Sequence, residues 1–241
     1  MEKFIVILIT ASLGITYPKA EGNRTKNITV TISSAVANQY LFLGTGTMVS
    51  ESPVIQTDLL ISHESGLYLN LWNSRSLKGN WNDGSFGNEI DYGLGWYREE
   101  KSFSVNVGVS FFDNYPSFTF GEGDILYSYA SLGKDFKHLS LTLGYENLTP
   151  MSGSNFPGGN LMRLTASKTF SLWQGKFVFP VSLSYVYNTG IFGEDEEFFL
   201  KGNAGINWNI TDRITANMIS VNYFLREREN AMVSSGVTFN F

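Results

Sequence analysis

The sequence predicts an all-β protein, a transmembrane antiparallel up-and-down β-barrel of about 12 strands. Three observations carry that prediction. Aromatic residues make up 15% of the 241 residues and Gly contributes 24, yet only 16% are charged, well under the roughly 25% usual for soluble domains. Apolar and small polar residues alternate with period 2 in segments of about ten residues, the mark of strands with two unlike faces. The connections between those segments alternate short and mostly long, with 226–230 a short exception, the pattern of a barrel with short turns on one rim and long loops on the other.

The chain opens on Lys3 and a mostly apolar run from Phe4 to about Ile15, with Ala20 as the cleavage point. That run is shorter than the roughly 20 residues a helix needs to cross a bilayer, so residues 1–20 read as a secretory signal and 21–241 as the exported barrel. Twelve alternating segments follow, near 28–43, 53–62, 66–75, 88–98, 102–113, 123–133, 138–147, 160–171, 176–188, 197–209, 213–226 and 231–241. The ninth is the clearest: Phe177, Phe179, Val181, Leu183, Tyr185 and Tyr187 share one face, and Val178, Pro180, Ser182, Ser184 and Asn188 the other. In the sixth, Ile125, Tyr127 and Tyr129 oppose Leu126, Ala130 and Leu132, and the alternation does not say which face is which. The last segment carries Val237, Phe239 and Phe241 on one face. This resembles the C-terminal strand signal through which bacterial outer-membrane barrels meet their assembly machinery.

Closure follows from the solvent. In hydrocarbon an open sheet edge leaves backbone groups unsatisfied at several kcal/mol each, so a spanning sheet closes on itself. A soluble sandwich also alternates, but its outward face carries far more Lys and Glu.

Composition excludes several functions. The formal charge is −5 and no basic block exceeds a dipeptide, so nucleic acid is not an expected partner. With no Cys there is no disulfide, Cys-based zinc site or thiol chemistry. The two histidines, His63 and His138, fall at short turns, away from the external rim where barrel hydrolases carry their sites. No G-x-S-x-G, H-E-x-x-H or Walker-type motif is present, so no covalent chemistry, cofactor or metal is expected. The run from Glu194 to Glu197 lacks the spaced ligands of a calcium loop and reads as a solvated acidic loop.

Charges on the small-residue faces are the informative ones, because a charge facing lipid is costly. Asp58, Glu89, Asp91 and Glu146, with Arg163 and Lys201, share faces with small or polar neighbours and are the pore-lining candidates. Four acids against two bases suggest a weakly cation-favouring lumen. Two readings of that lumen stay open. Eight strands are filled by side chains and sixteen to eighteen leave an aqueous channel, so twelve permits either a passage for small polar solutes or a plugged interior. In the second case the barrel is structural or adhesive and acts through its external loops.

Three stretches resemble a bacterial family of TorF-type porins, also carried under the label Gcw_chp. An early signature of the form S-D-Y-V-F-R-G-x-S is matched by Asn38 to Gly46, with Tyr40, Phe42 and Gly44 kept and Leu43 in the place of Arg. A second, P-A-x-Q-x-x-L-x-x-S-H-E-S-G-x-Y-x-G-x-W-x-S, is matched by Pro53, Gln56, Leu59, Ser62 to Gly66, Tyr68, Trp72 and Ser74. The third, E-x-D-x-x-x-G-Y, is similar to Glu89 to Trp96. Together they cover roughly residues 36–96. The resemblance implies an outer-membrane barrel of porin type in a Gram-negative bacterium, with outer-membrane lipid, the barrel-assembly machinery and small polar solutes as partners. It implies no particular solute, and it makes His63 and Glu64 parts of a hairpin turn.

Overall fold

Alternation of the kind seen around Leu183 has only one low-energy use when the apolar face is to be wetted by hydrocarbon and the polar face hidden, and the chain adopts it. The structure, a computed structural model, describes residues 27–78, 88–114, 123–151, 157–226 and 230–241; the expected signal segment, 1–20, lies outside them. The strands are β1 (Ile28–Ala37), β2 (Tyr40–Leu41), β3 (Met48–Ser50), β4 (Val54–His63), β5 (Leu67–Ser76), β6 (Glu89–Glu100), β7 (Phe103–Asn114), β8 (Ile125–Asp135), β9 (Ser140–Pro150), β10 (Gly159–Leu172), β11 (Phe177–Asn188), β12 (Glu197–Thr211), β13 (Ile214–Leu225) and β14 (Asn230–Asn240). Twelve of these, β1 and β4 to β14, form a closed antiparallel barrel in which sequence neighbours are also spatial neighbours. Closure falls to β1, which pairs with β14 (Ser34 opposite Val237) and with β4 (Ile32 opposite Leu59). Beyond the ladder, the Phe241 amide donates to the Val30 carbonyl at 2.8 Å.

Short turns join β4–β5, β6–β7, β8–β9, β10–β11 and β12–β13 on one rim. The other rim carries the longer connections together with the short one between β13 and β14, as the alternation of loop lengths and its one exception predict. The first strand corrects the sequence reading. It stops at Ala37 instead of running to residue 43, and β2 and β3 pair separately as a small hairpin. Apolar residues resume at Tyr40 and Phe42 in the phase of Val36, past Asn38, so the sequence reading carries the strand through the change of direction.

The outside is the apolar side. Leu69, Leu94, Val107, Leu132, Leu143, Leu164 and Leu183 are all exposed at mid-barrel. Aromatic rings cluster towards both ends of this band. Phe177 stacks on Trp208 near the short-turn rim, and Tyr185 stacks on Phe198 near the long-loop rim. An apolar belt between aromatic girdles is the surface of a membrane barrel. In β8 the face question resolves: Leu126 and Leu132 point outward, while Ile125 and Tyr127 are buried inside.

Inside the short-turn half, aromatic residues of β5 and β8 lie against glycines. Tyr68 reaches across the β5–β6 boundary over Gly95, and Tyr129 reaches over Gly108; a Cβ at either glycine would run into the phenol. The two hydroxyls meet, and Tyr68 also donates to Asn106 Oδ1 at 2.8 Å. The glycines at 95 on β6 and 108 on β7 therefore have a packing cause. Gly95→Val overpacks this site and is expected to cost about 1–3 kcal/mol, seen as a lower denaturant midpoint for loss of the heat-modifiable folded band, while Leu94→Val on the outer face leaves the midpoint nearly unchanged.

Candidate functional site

The site is the barrel interior at its long-loop half, and it is organised by the hairpin of residues 38–53. The hairpin turns tightly: the Phe42 amide donates to the Thr47 carbonyl at 2.9 Å and the Gly46 amide to the Phe42 carbonyl at 2.7 Å, with Gly46 at φ +80°. Leu41 and Thr45 are fully buried, so the hairpin is folded into the lumen, not raised above the rim. Gly44 lies close to Leu161 of β10, and Gly46 lies against the ring of Phe224 of β13.

Its polar groups are met from the walls. Tyr40 donates to Glu89 Oε1 of β6 at 2.5 Å, and Lys201 of β12 donates to the Leu43 carbonyl at 2.7 Å. In a ring of twelve strands β6 and β12 stand six apart, on opposite walls; the hairpin therefore bridges the barrel across its width. Arg226 Nη1 donates to the Thr45 carbonyl at 2.7 Å, Asn230 to the Gly46 carbonyl at 3.2 Å, and Thr47 to Glu194 Oε1 at 2.6 Å. The loop after β11 joins this set: Arg226 pairs with Glu194 at 3.0 Å and with Glu197. The acidic run is thus not the solvated loop its spacing suggests, because two of its carboxylates neutralise a half-buried guanidinium.

All six inward charges expected from the sequence lie on the hidden face, and they segregate. Asp58 on β4 and Glu89 and Asp91 on β6 form one wall. Glu146 on β9, Arg163 on β10 and Lys201 on β12 form the opposite one. Arg163 and Glu146 are paired and buried, their side chains 4% and 7% exposed. Asp58 accepts from Asn70, and Glu89 from Tyr40. Sequence reasoning missed Tyr40 and Arg226. The Tyr-x-Phe-x-Gly-x-Gly run is their only local sign, and their partners lie far away in the chain.

Beneath the hairpin, towards the short-turn rim, a cavity of about 210 Å³ remains, capped by Leu43 and lined by small or polar groups such as Ser33, Asp58, Asn203, Asn222 and Ser234. The histidines are elsewhere. His63 is held within its own turn, Nδ1 lying 2.8 Å from Ser65 Oγ, and His138 is exposed in the β8–β9 turn. Among the described residues no three His, Cys, Asp or Glu gather as a metal site.

A closed barrel with an apolar exterior, a polar charged lumen and an inward-folded loop defines a porin-like barrel. The chain belongs to the Gcw_chp family, described as bacterial protein of unknown function, whose match spans residues 20–231. Among solved structures it is similar to the NanC porin, with TM-score 0.57 and 10% identity over 87% of this chain and 98% of that one. It is also similar to the KdgM porin, crystallised in complex with disordered oligogalacturonate, with TM-score 0.54 and 14% identity over 88% of this chain and 99% of that one. These likenesses establish a shared fold. No curated protein matches the sequence.

The Glu146–Arg163 pair gives a direct test of the interior. Arg163→Met leaves Glu146 buried and unpaired and is expected to cost about 3–5 kcal/mol, whereas the double variant Glu146→Leu/Arg163→Met is expected to recover most of that loss. Urea or guanidinium unfolding in detergent, followed by tryptophan emission, measures both.

Proposed function

We propose that the protein is an outer-membrane porin of TorF type that passes small polar solutes or ions by diffusion, with the hairpin of residues 38–53 setting the narrowest point of the path. The single observation that supports this most is the polar chamber under the hairpin. A cavity of about 210 Å³ whose walls include Ser33, Thr57, Asp58, Asn203, Asn222 and Ser234 beside Leu60, Trp72 and Met232 suits water and small polar solutes better than a close-packed plug. Rings of charged side chains tune selectivity in pores. Here the Glu146–Arg163 pair cancels locally, so Asp58, Glu89 and Asp91 face Lys201 alone, and the balance favours cations weakly. Residues 1–20 serve export in this reading, and Val237, Phe239 and Phe241 on the closing strand serve recognition by the barrel-assembly machinery. No residue acts covalently.

A structural or adhesive role through the external loops is the second reading, and a specific observation favours it: the hairpin is tied to opposite walls by Tyr40 and Lys201, which narrows any passage severely.

Planar-bilayer recording of the refolded protein decides between them. Discrete steps with a modest cation preference are expected for the full chain, with conductance several-fold larger once residues 40–50 are replaced by a short Gly-Ser linker. Asp58→Asn/Glu89→Gln/Asp91→Asn should move the reversal potential in a salt gradient towards zero. A folded, hairpin-deleted barrel that stays electrically silent would overturn the porin reading in favour of the loops.

A further inference from the structure

The chamber beneath the hairpin has a lining more particular than the passage of small polar solutes requires. Where β12, β13, β14 and β1 bound it, the inward side chains are Ser, Thr, Asn, Ala and Gly, with Met232 as the large exception. Register sets these groups in rows around the wall. Gln56, Ala35, Gly236, Asn217 and Asn207 lie side by side across β4, β1, β14, β13 and β12. In the neighbouring row Trp72, Asp58, Ser33 and Thr238 follow one another across β5, β4, β1 and β14. Ala35 and Gly236 carry at most a methyl group, so the wall forms a low floor between the Gln56 amide on one side and the Asn217 and Asn207 amides on the other. Because the wall curves, side chains rising from both sides of that floor lean towards each other over it, and all of them border one space of about 210 Å³. That is room for on the order of seven waters at about 30 Å³ each.

The hydrogen-bonding capacity of this lining is only partly used by the protein. Asn217 Nδ2 donates to Thr238 Oγ1 at 3.1 Å, and Asn203 Nδ2 to Asn222 Oδ1 at 3.1 Å. Among the described residues the Gln56 and Asn207 side chains bond to no protein group. Asp58 is the single charged residue of the lining, and Asn70 already donates to its Oδ1 at 2.5 Å. Apolar surface is present but local: Trp72 stands beside Asp58 in register, and Leu43 closes the chamber from the hairpin.

That combination selects a chemistry. Amides and hydroxyls both donate and accept, so the best occupant does both at several points. An anion meets Asp58 and no base. A bare cation makes no use of amide N–H groups or of an indole face. An apolar molecule leaves the amides without partners, at a desolvation cost. A ring bearing hydroxyls on its edge and C–H groups on its faces meets every demand. We propose that the chamber is a subsite for one neutral polyhydroxylated molecule of monosaccharide size, lying over Ala35 and Gly236 between the amides of Gln56 and of Asn217 and Asn207, with Trp72 offering an apolar face at one side. As an element of passage the subsite rests on the porin reading; its binding chemistry is tested apart from it.

The probe is D-glucose, with D-glucuronate as an anion built on the same ring. Saturation-transfer NMR on the refolded barrel, in a detergent without a sugar headgroup, reports binding with no need for conduction. A saturable glucose signal is expected, and a glucuronate signal several-fold weaker at equal concentration. Gln56→Leu and Asn207→Leu remove an amide and keep the bulk; each should weaken glucose affinity by about threefold to tenfold. Asp58→Asn should raise glucuronate binding towards that of glucose, which a merely structural role for Asp58 does not do. Asn207→Ala carries the amide test should either leucine variant fail to give the heat-modifiable folded band. Folded wild-type protein with no saturable glucose binding, glucuronate bound as well as glucose, or glucose affinity unchanged by the loss of both amides would overturn the subsite. A barrel that conducts but binds no glucose overturns the subsite and leaves the porin reading standing; one that binds glucose yet stays silent without its hairpin keeps the subsite and loses the porin reading.

Discussion

Everything in this molecule depends on one interaction, the ladder between its first and last barrel strands. A sheet in hydrocarbon has no water to satisfy an exposed edge. By bonding to β14 on one side and to β4 on the other, β1 removes the only two edges the meander would leave. Once that ladder exists, the remaining order is forced. Antiparallel neighbours joined in sequence return to the start only with an even number of strands, and the short turns then share one rim with both ends of the β1–β14 pair. The faces are fixed by the same closure, because a slip of one residue in any strand would turn Leu183 inward and Ser184 towards lipid.

Closure at twelve strands creates a second problem, namely an interior wider than side chains from opposing walls can fill. The chain solves it unevenly. In the short-turn half, Tyr68 and Tyr129 lean over glycines and meet one another, packing one side and leaving a chamber on the other. In the long-loop half the backbone itself enters. A backbone hairpin brings carbonyls into a place without bulk water, and each needs a donor. Lys201, Arg226 and Asn230 provide them to Leu43, Thr45 and Gly46. The two cations thus act here as donors to backbone oxygens, and the loop glycines have a steric purpose, since Gly46 packs its backbone directly on the ring of Phe224.

How much of this was legible in the sequence follows from the range of each interaction. Strand alternation is local, so twelve strands, the faces of all but the sixth and the two classes of connection could be read from neighbours in the chain. The inward charges were legible for the same reason: Asp58, Arg163 and Lys201 fall on the small-residue phase of their strands, and a charge on the other phase would face lipid. The hairpin was not legible. Tyr40 and Phe42 return to the apolar phase of β1, and the contacts that draw the hairpin inward join positions as remote as Leu43 and Lys201, 158 residues apart. Glu194 and Glu197 illustrate the converse. Their spacing describes a solvated loop correctly in the absence of a partner, but the fold delivers Arg226 to them from beyond β13.

Counting charges and placing them lead to different electrostatics. A lumen with four acids and two bases would have a mild, uniform negative potential if the groups were mixed. In the barrel they are sorted by strand, with Asp58, Glu89 and Asp91 on one wall and both bases on the other. Glu146 pairs with Arg163 at contact distance, which leaves Asp58, Glu89 and Asp91 on one wall and Lys201, donating to the Leu43 carbonyl, on the other. Hydrogen bonding splits the carboxylates further: Glu89 has Tyr40 and Asp58 has Asn70, but Asp91 has neither donor nor counter-ion among the described residues. A carboxyl buried in that position is the least compensated of the three acids. The acidic side of the lumen is therefore not a diffuse surface charge. The inward positions that follow Asp91 on β6, Gly93 and Gly95, are both glycine and bring it no donor.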